Sequence, residues 1–230
     1  MTTDFIILCG GQGTRLRSTI GESQKVMASV GDEPFLDLLI KYIHKQGGRR
    51  VILSTGYKAQ DVEAHYPGGT LKDVTIEFSR EDVPLGTGGA VKKACGLVQT
   101  EHFFVLNGDS FCPVDFEKMF AFHVANDAQA SVAVAHVLDG QDFGTITLDG
   151  QSRISAFEEK VAGGSSYVNA GIYCFKRGIE KQMPQEEKFS LEKDFFPRLV
   201  GPSFYGFVVG LPFFDIGTPE RYEMAKRHLK

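Results

Sequence analysis

The segment from Phe5 to Leu16 constrains this 230-residue chain more than any other. An apolar run, Phe5 to Cys9, passes straight into Gly10-Gly11-Gln12-Gly13-Thr14-Arg15-Leu16. A β-strand that opens into a glycine-rich turn is a device for holding a polyphosphate. Glycine admits positive φ and close backbone approach, so successive N–H groups can converge on phosphate oxygens. Arg15 adds a planar cationic fork suited to the same ligand. Two common phosphate loops do not fit. A P-loop needs a lysine directly after its last glycine, and none stands there. The dinucleotide turn needs a third glycine where this chain has Leu16, and a carboxylate at the end of a second strand, here Val51-Ile52-Leu53-Ser54-Thr55. A tight strand-to-helix turn with a solvated arginine is the plain alternative.

The rest of the first half alternates. Strands are expected at Phe5–Cys9, Arg50–Ser54, Val74–Phe78 and Phe103–Leu106. Helices are expected from Pro34 to about Lys45 and at Ala59–His65, Thr87–Leu97 and Asp115–Ala125. After Ala130 the pattern turns β-rich, with strands at Ser131–Leu138, Gly144–Leu148, Ser152–Phe157, Tyr167–Phe175 and Tyr205–Val209 and helices at Ser190–Leu199 and Pro219–Leu229. This predicts an α/β fold: a Rossmann-like, open, mixed but mostly parallel sheet with helices on both faces, in a single domain with a small β-rich lobe. The ligand site of such a sheet lies at the carboxyl ends of its strands.

Composition narrows the partners. A net charge of −4 supplies no basic field for nucleic acid, so anions must be met by local cations. No apolar run reaches membrane-spanning length, and Met1-Thr2-Thr3-Asp4 lacks the basic region of a signal peptide. Cys9, Cys95, Cys112 and Cys174 form no C-x-x-C pair and read as small apolar fillers in a reducing cytoplasm. The six histidines show no metal-ligand spacing.

Several residues carry chemistry. Asn107-Gly108-Asp109 follows an apolar strand, which puts a carboxylate where a ligand would sit. Asp215, in Phe213-Phe214-Asp215-Ile216-Gly217-Thr218, precedes a helix and taken alone reads as a turn or capping residue. Brought together, Asp109 and Asp215 suit Mg²⁺, a hard ion that prefers carboxylate and phosphate oxygens. Lys25 stands in a loop, where a lone lysine is usually solvated. Gly86-Thr87-Gly88-Gly89-Ala90 is a second glycine-rich turn, against which a base or sugar could lie flat. Glu158 and Lys160 are two apart at a strand end and share a face, as a sugar-phosphate clamp or an exposed ion pair of little worth. Asn169 puts an amide in an apolar strand, which calls for a hydroxyl partner.

The order of these motifs resembles the sugar-1-phosphate nucleotidyltransferases, from Phe5 to Tyr222: GGxGTRL, a loop lysine, PLGTGGA, NGD, FEEK, VNAGIY and FxDIGTPExY. Within that family the chain is most similar to D-glycero-α-D-manno-heptose-1-phosphate guanylyltransferases, through Cys9 before the double glycine, Pro34-Phe35-Leu36, Glu158-Glu159-Lys160 and Phe189-Ser190-Leu191-Glu192. Mannose-1-phosphate guanylyltransferases share many of these features. The resemblance implies a reaction of NTP, most simply GTP, with a sugar 1-phosphate to give an NDP-sugar for surface polysaccharide and pyrophosphate. It implies a nucleotide-binding half, 1–130, in which Leu8, Gly10, Gly11, Gly13, Thr14, Arg15, Glu81, Gly86, Thr87 and Asp109 bind the nucleotide, with Gly10, Gly11, Gly13 and Arg15 on the triphosphate and Glu81 and the turn at Gly86 facing the base. It implies a sugar-phosphate-binding half, 131–230, using Gly144, Glu158, Lys160 and Asn169, with the glycine-bearing loop Val161–Ser166 beside the sugar tail. Arg15, Lys25, Asp109 and Asp215 would be catalytic, and Asp109 with Asp215 would hold Mg²⁺. Two departures stand out. The family lysine usually lies between prolines, whereas Gln24 and Val26 flank Lys25, and Phe143 stands where tyrosine is common. A metal-dependent glycosyltransferase or a non-catalytic nucleotide-sugar sensor are the rival classes. The first would carry D-x-D where this chain has Asn107-Gly108-Asp109, and the second need not keep both aspartates.

Overall fold

The computed structural model describes residues 2–11, 13–21, 23–137, 144–159, 166–210 and 212–229. The first strand, β1 (Asp4–Leu8), lies centrally between β2 (Arg50–Thr55) and β5 (His102–Asn107), parallel to both. Beyond β2 run the parallel β4 (Val74–Arg80) and a short antiparallel edge strand, β3 (Thr70–Leu71). β1 is buried on both faces, with Phe5 and Ile7 packed into one core and Ile6 into the other. That is the condition that lets a parallel strand be continuously apolar. In register Leu8 stands beside Ser54 and Asn107, so three strands end at one level and open one crevice.

Helices α1 (Phe35–Lys45), α2 (Ala59–His65), α3 (Gly86–Ala94) and α4 (Phe116–Ala125) alternate with these strands as the sequence predicts. The second half extends the same sheet. The long strand β10 (Ser166–Lys176) pairs antiparallel with β5 and with β7 (Ala130–Val137), and its start pairs with β8 (Gly144–Leu148), which pairs with β9 (Ile154–Glu159). β11 (Phe204–Val209) adds to β7 in parallel. Among the described residues the sheet has ten strands, and it is mixed and mostly parallel in its first half, as expected. The chain ends in α5 (Pro219–His228), capped by the Thr218 side chain.

Two features escape sequence reading. The two-residue strands β6 (Ser110–Phe111) and β12 (Phe214–Asp215) form a small antiparallel ribbon off the sheet. The segment Ser190–Leu199 is a π-turn at Leu191–Phe195 followed by one α-turn at Phe196–Leu199. The glycines that open α3 also have a reason that lies far off in sequence. A Cβ on Gly88 would run into the Phe189 ring, and one on Gly86, at φ +71°, would meet the Phe189 carbonyl. Gly88→Ala is therefore expected to cost about 1–3 kcal/mol through overpacking and lower the thermal midpoint by several degrees. An unchanged midpoint in a thermal melt would mean that the ring swings clear.

Candidate functional site

The crevice at the strand ends is a cavity of about 550 Å³, a size that suits a small-molecule ligand. Leu8, Gly10, Gly11, Lys25, Glu81, Gly86, Thr87 and Asp109 line it, eight of the residues chosen from sequence. Pro84 and Asn107, from the PLGTGGA and NGD motifs, line it too, as do Tyr57 and Val83, which no motif marked. Among the described residues, every one lining it falls within the first half of the chain.

The glycine loop is held from three sides. Cys9 N–H donates to Ser54 (2.8 Å) and Leu16 N–H to the Gly13 carbonyl (3.0 Å). Gly10 lies against Glu81, where a Cβ would come within 2.6 Å of Oε1. Gly13, at φ +57°, lies against the Lys25 stem, where a Cβ would come within 2.9 Å. Gly13 needs glycine for its φ as well as its space, whereas a side chain at Gly10 would have to displace the Glu81 carboxylate. Gly11 has nothing within 4 Å of its Cβ position, which leaves that side open to a ligand. Thr14 and Arg15 are exposed, outside the cavity lining. Cys9 is buried, and burial pushes its thiol pKa up, so it is an inert filler rather than a nucleophile.

Lys25 and Asp109 meet. Lys25 Nζ lies 2.6 Å from Asp109 Oδ2, with the lysine side chain 11 % exposed and the carboxylate 43 %. The β6–β12 ribbon then delivers the second aspartate. Asp215 pairs with Ser110, and Ile216 N–H donates to the Asp109 carbonyl (2.9 Å), so the two aspartates lie on neighbouring backbones despite their separation in sequence. Asp215 Oδ1 accepts from Gly217 N–H (2.8 Å) and Oδ2 from Arg221 (3.2 Å). A Cβ on Gly217 would be 2.7 Å from Asp215 Oδ1 and 3.7 Å from Lys25 Nζ, so the ammonium and both carboxylates share one neighbourhood.

The base-facing turn is fixed by its own bonds. Glu81 Oε2 accepts from Leu85 N–H (2.9 Å), and burial raises the carboxyl above its ordinary value against that bond. Thr87 donates to Glu192 (2.8 Å) and accepts from Leu191 N–H (2.9 Å), so its hydroxyl is spent inside the protein. The face of the turn expected to receive a flat ligand is covered at Gly88 and Gly89 by Phe189 and the Glu187 carbonyl. The hydroxyl partner expected for Asn169 is that of Tyr173, to which it donates at 2.9 Å. Its oxygen accepts from Gly171 N–H, and Tyr173 donates on to Glu192 (3.2 Å). Tyr173 and Glu192 thus link the turn at Thr87 to Asn169.

Gly144 and Glu158 lie on adjacent strands, but the register sets Gly144 opposite Glu159 and Thr145 opposite Glu158. Lys160, Phe143 and residues 161–165 lie outside the described residues.

The chain belongs to the Nucleotidyl transferase family, which matches it over residues 5–230. It is 38 % identical over 228 residues to the D-glycero-alpha-D-manno-heptose 1-phosphate guanylyltransferase of Aneurinibacillus thermoaerophilus, covering 99 % of this chain and 98 % of that one. It is 34 % identical to the mannose-1-phosphate guanylyltransferase of Mycobacterium tuberculosis, covering 95 % of this chain and 62 % of the other. The crystal structure of HddC from Yersinia pseudotuberculosis complexed with GMP-PN superposes with a TM-score of 0.87 at 35 % identity, each chain fully covered. Among the described residues no helix is long and apolar enough to cross a membrane.

Proposed function

We propose that this chain joins GTP to D-glycero-α-D-manno-heptose 1-phosphate, giving GDP-heptose and pyrophosphate. The observation that carries this reading is the pairing of Lys25 with Asp109 at a cavity walled by the glycine loop, in a chain that matches a heptose guanylyltransferase end to end. In the proposed step an oxygen of the sugar phosphate attacks the α-phosphorus of GTP, and the bond from that phosphorus to the β-phosphate oxygen breaks. The nucleophile is already an anion, so no general base is needed. Lys25 and Arg15 offset charge as two polyanions approach, and the loop amides at Gly10, Gly11 and Gly13 hold the triphosphate in line. Leu8 and Thr14 complete that half of the site, and Glu81 offers an acceptor to the guanine N–H donors.

Asp109 and Asp215 fit a hard divalent cation, and we assign them to Mg²⁺. Both present carboxylate oxygens from neighbouring backbones, and each is paired with a cationic side chain. No cluster of three or more His, Cys, Asp or Glu that could hold a metal ion occurs among the described residues, so phosphate and water would have to supply its other ligands. When bound, Mg²⁺ supplies charge neutralisation at the transferring phosphate. Gly144, Glu158, Lys160 and Asn169 are assigned to the sugar phosphate.

Mannose 1-phosphate is the second reading, favoured by the match to the mycobacterial enzyme. The two sugars share ring and anomeric phosphate and differ by one carbon beyond C6. A pocket that hydrogen-bonds the extra hydroxyl rejects the shorter sugar strongly, whereas space alone gives only about 10–200-fold. Comparing kcat/KM for both sugar phosphates, with each of the four NTPs and pyrophosphate as readout, tests this. The heptose phosphate with GTP is expected to lead. A clear lead for mannose 1-phosphate gives the second reading, and sugar transfer without pyrophosphate gives the glycosyltransferase.

A further inference from the structure

Lys25 has no proline on either side, yet it is held 2.6 Å from Asp109. The side chain before it explains how. Gln24 is 1 % exposed, a rare environment for a primary amide. Its Oε1 accepts from Val26 N–H (2.6 Å). Its Nε2 donates to the Cys9 carbonyl and, at 3.4 Å, to the Gly11 carbonyl. One amide therefore spans the end of β1, the glycine loop and the single 3-10 turn Lys25–Met27, which it caps. The backbone at Gln24 has φ −65°, the value a proline ring imposes. Around this link the packing is close: Gly13 abuts the Lys25 stem, and a Cβ on Gly108 would meet Val26 at 3.0 Å.

We propose that Gln24 is a positioning residue that locks the Lys25 turn to the glycine loop, so that the ammonium and the loop amides meet the nucleotide phosphates as one rigid unit. The amide does by hydrogen bonding what a flanking proline does by its ring. It fixes the extended backbone at position 24, and it also ties that backbone to the loop, which a proline cannot do. A buried amide is suited to this because each bond it loses leaves a buried partner unpaired, so the linked geometry is strongly preferred. The proposal rests on the nucleotidyl-transfer reading for its kinetic consequence, but not for its structural one.

The test uses Gln24→Met, which keeps the length of the side chain and removes the amide, with two readouts. Hydrogen exchange on the ligand-free protein needs no activity. The Val26 amide and the glycine-loop amides are expected to exchange about tenfold faster, with the amides of β1, β2 and β5 unchanged. Steady-state kinetics then places the effect. Gln24→Met is expected to lower kcat by tenfold or more in the wild-type background and by less than threefold in a Lys25→Ala background, because the two changes remove the same thing. Unchanged exchange in these segments overturns the proposal whatever the reaction proves to be, and so does a kcat loss of equal size in both backgrounds, the mark of general destabilisation. A wild-type protein that turns over no NTP defeats the functional reading and leaves the exchange result to decide this one. If Gln24→Met does not fold, Gln24→Glu takes its place. It keeps the stem and the acceptor for Val26 but not the donors to Cys9 and Gly11, and faster exchange is then expected in the glycine loop alone. Unchanged loop exchange in that variant equally overturns the proposal.

Discussion

Asp109→Asn is expected to lower kcat by about 10³-fold, about 4 kcal/mol in transition-state stabilisation, in a protein that still folds. The asparagine keeps the shape of the side chain. It removes one charge from the carboxylate pair assigned to Mg²⁺ and sets an amide beside Lys25 Nζ, which now lies 2.6 Å from a carboxylate oxygen. The fold loses little, because the link to the β6–β12 ribbon is the Asp109 backbone carbonyl, accepting from Ile216 N–H. The ion pair itself includes a carboxylate 43 % exposed, and pairs of that kind are worth at most about 1 kcal/mol to stability. The variant should therefore separate activity from stability, with a collapsed kcat and a thermal midpoint near wild type. Near-normal turnover at low Mg²⁺ would reduce Asp109 to a strand-end turn residue.

Lys25→Ala is expected to cost about 10²–10³ in kcat, the usual price of deleting one oriented charge donor. The lysine is only 11 % exposed and lies against Gly13 and near Gly217, so its ammonium is held at the site, while the nearby Arg221 is engaged with Asp215. Its deletion also leaves the Asp109 carboxylate without its cation, which deepens the repulsion toward incoming phosphates. A loss under tenfold would mean that Lys25 neutralises its neighbour and does not reach the reacting phosphates.

Much of this site was legible in the sequence because its parts sit on long periodic elements. The apolar run before Gly10, the alternation through β5 and the position of Asp109 follow from local pattern, Lys25 was marked only by the family resemblance, and the structure puts them on one crevice. What escaped is what depends on distant partners. The strands that join Asp109 to Asp215 are two residues each, too short for any periodicity to register. Gly88 reads as a ligand-facing glycine, but its constraint is Phe189, which the fold returns to it from a hundred residues further on. Gln24 reads as a lost proline, and only the buried carbonyls above it show that it is a replacement. Tyr173 and Glu192 sit in apolar and charged surroundings that give no hint of their bond.

The most direct test of nucleotidyl transfer follows the phosphate of the sugar. Sugar 1-phosphate labelled with ¹⁸O at its non-bridging phosphate oxygens is incubated with GTP and Mg²⁺, and the products are weighed by mass spectrometry. Attack by that phosphate on the α-phosphorus predicts that all of the label enters the GDP-sugar and that the released pyrophosphate is unlabelled. A GDP-sugar formed without the label, its label left in free inorganic phosphate, would mean that the sugar had parted from its own phosphate, which contradicts the account.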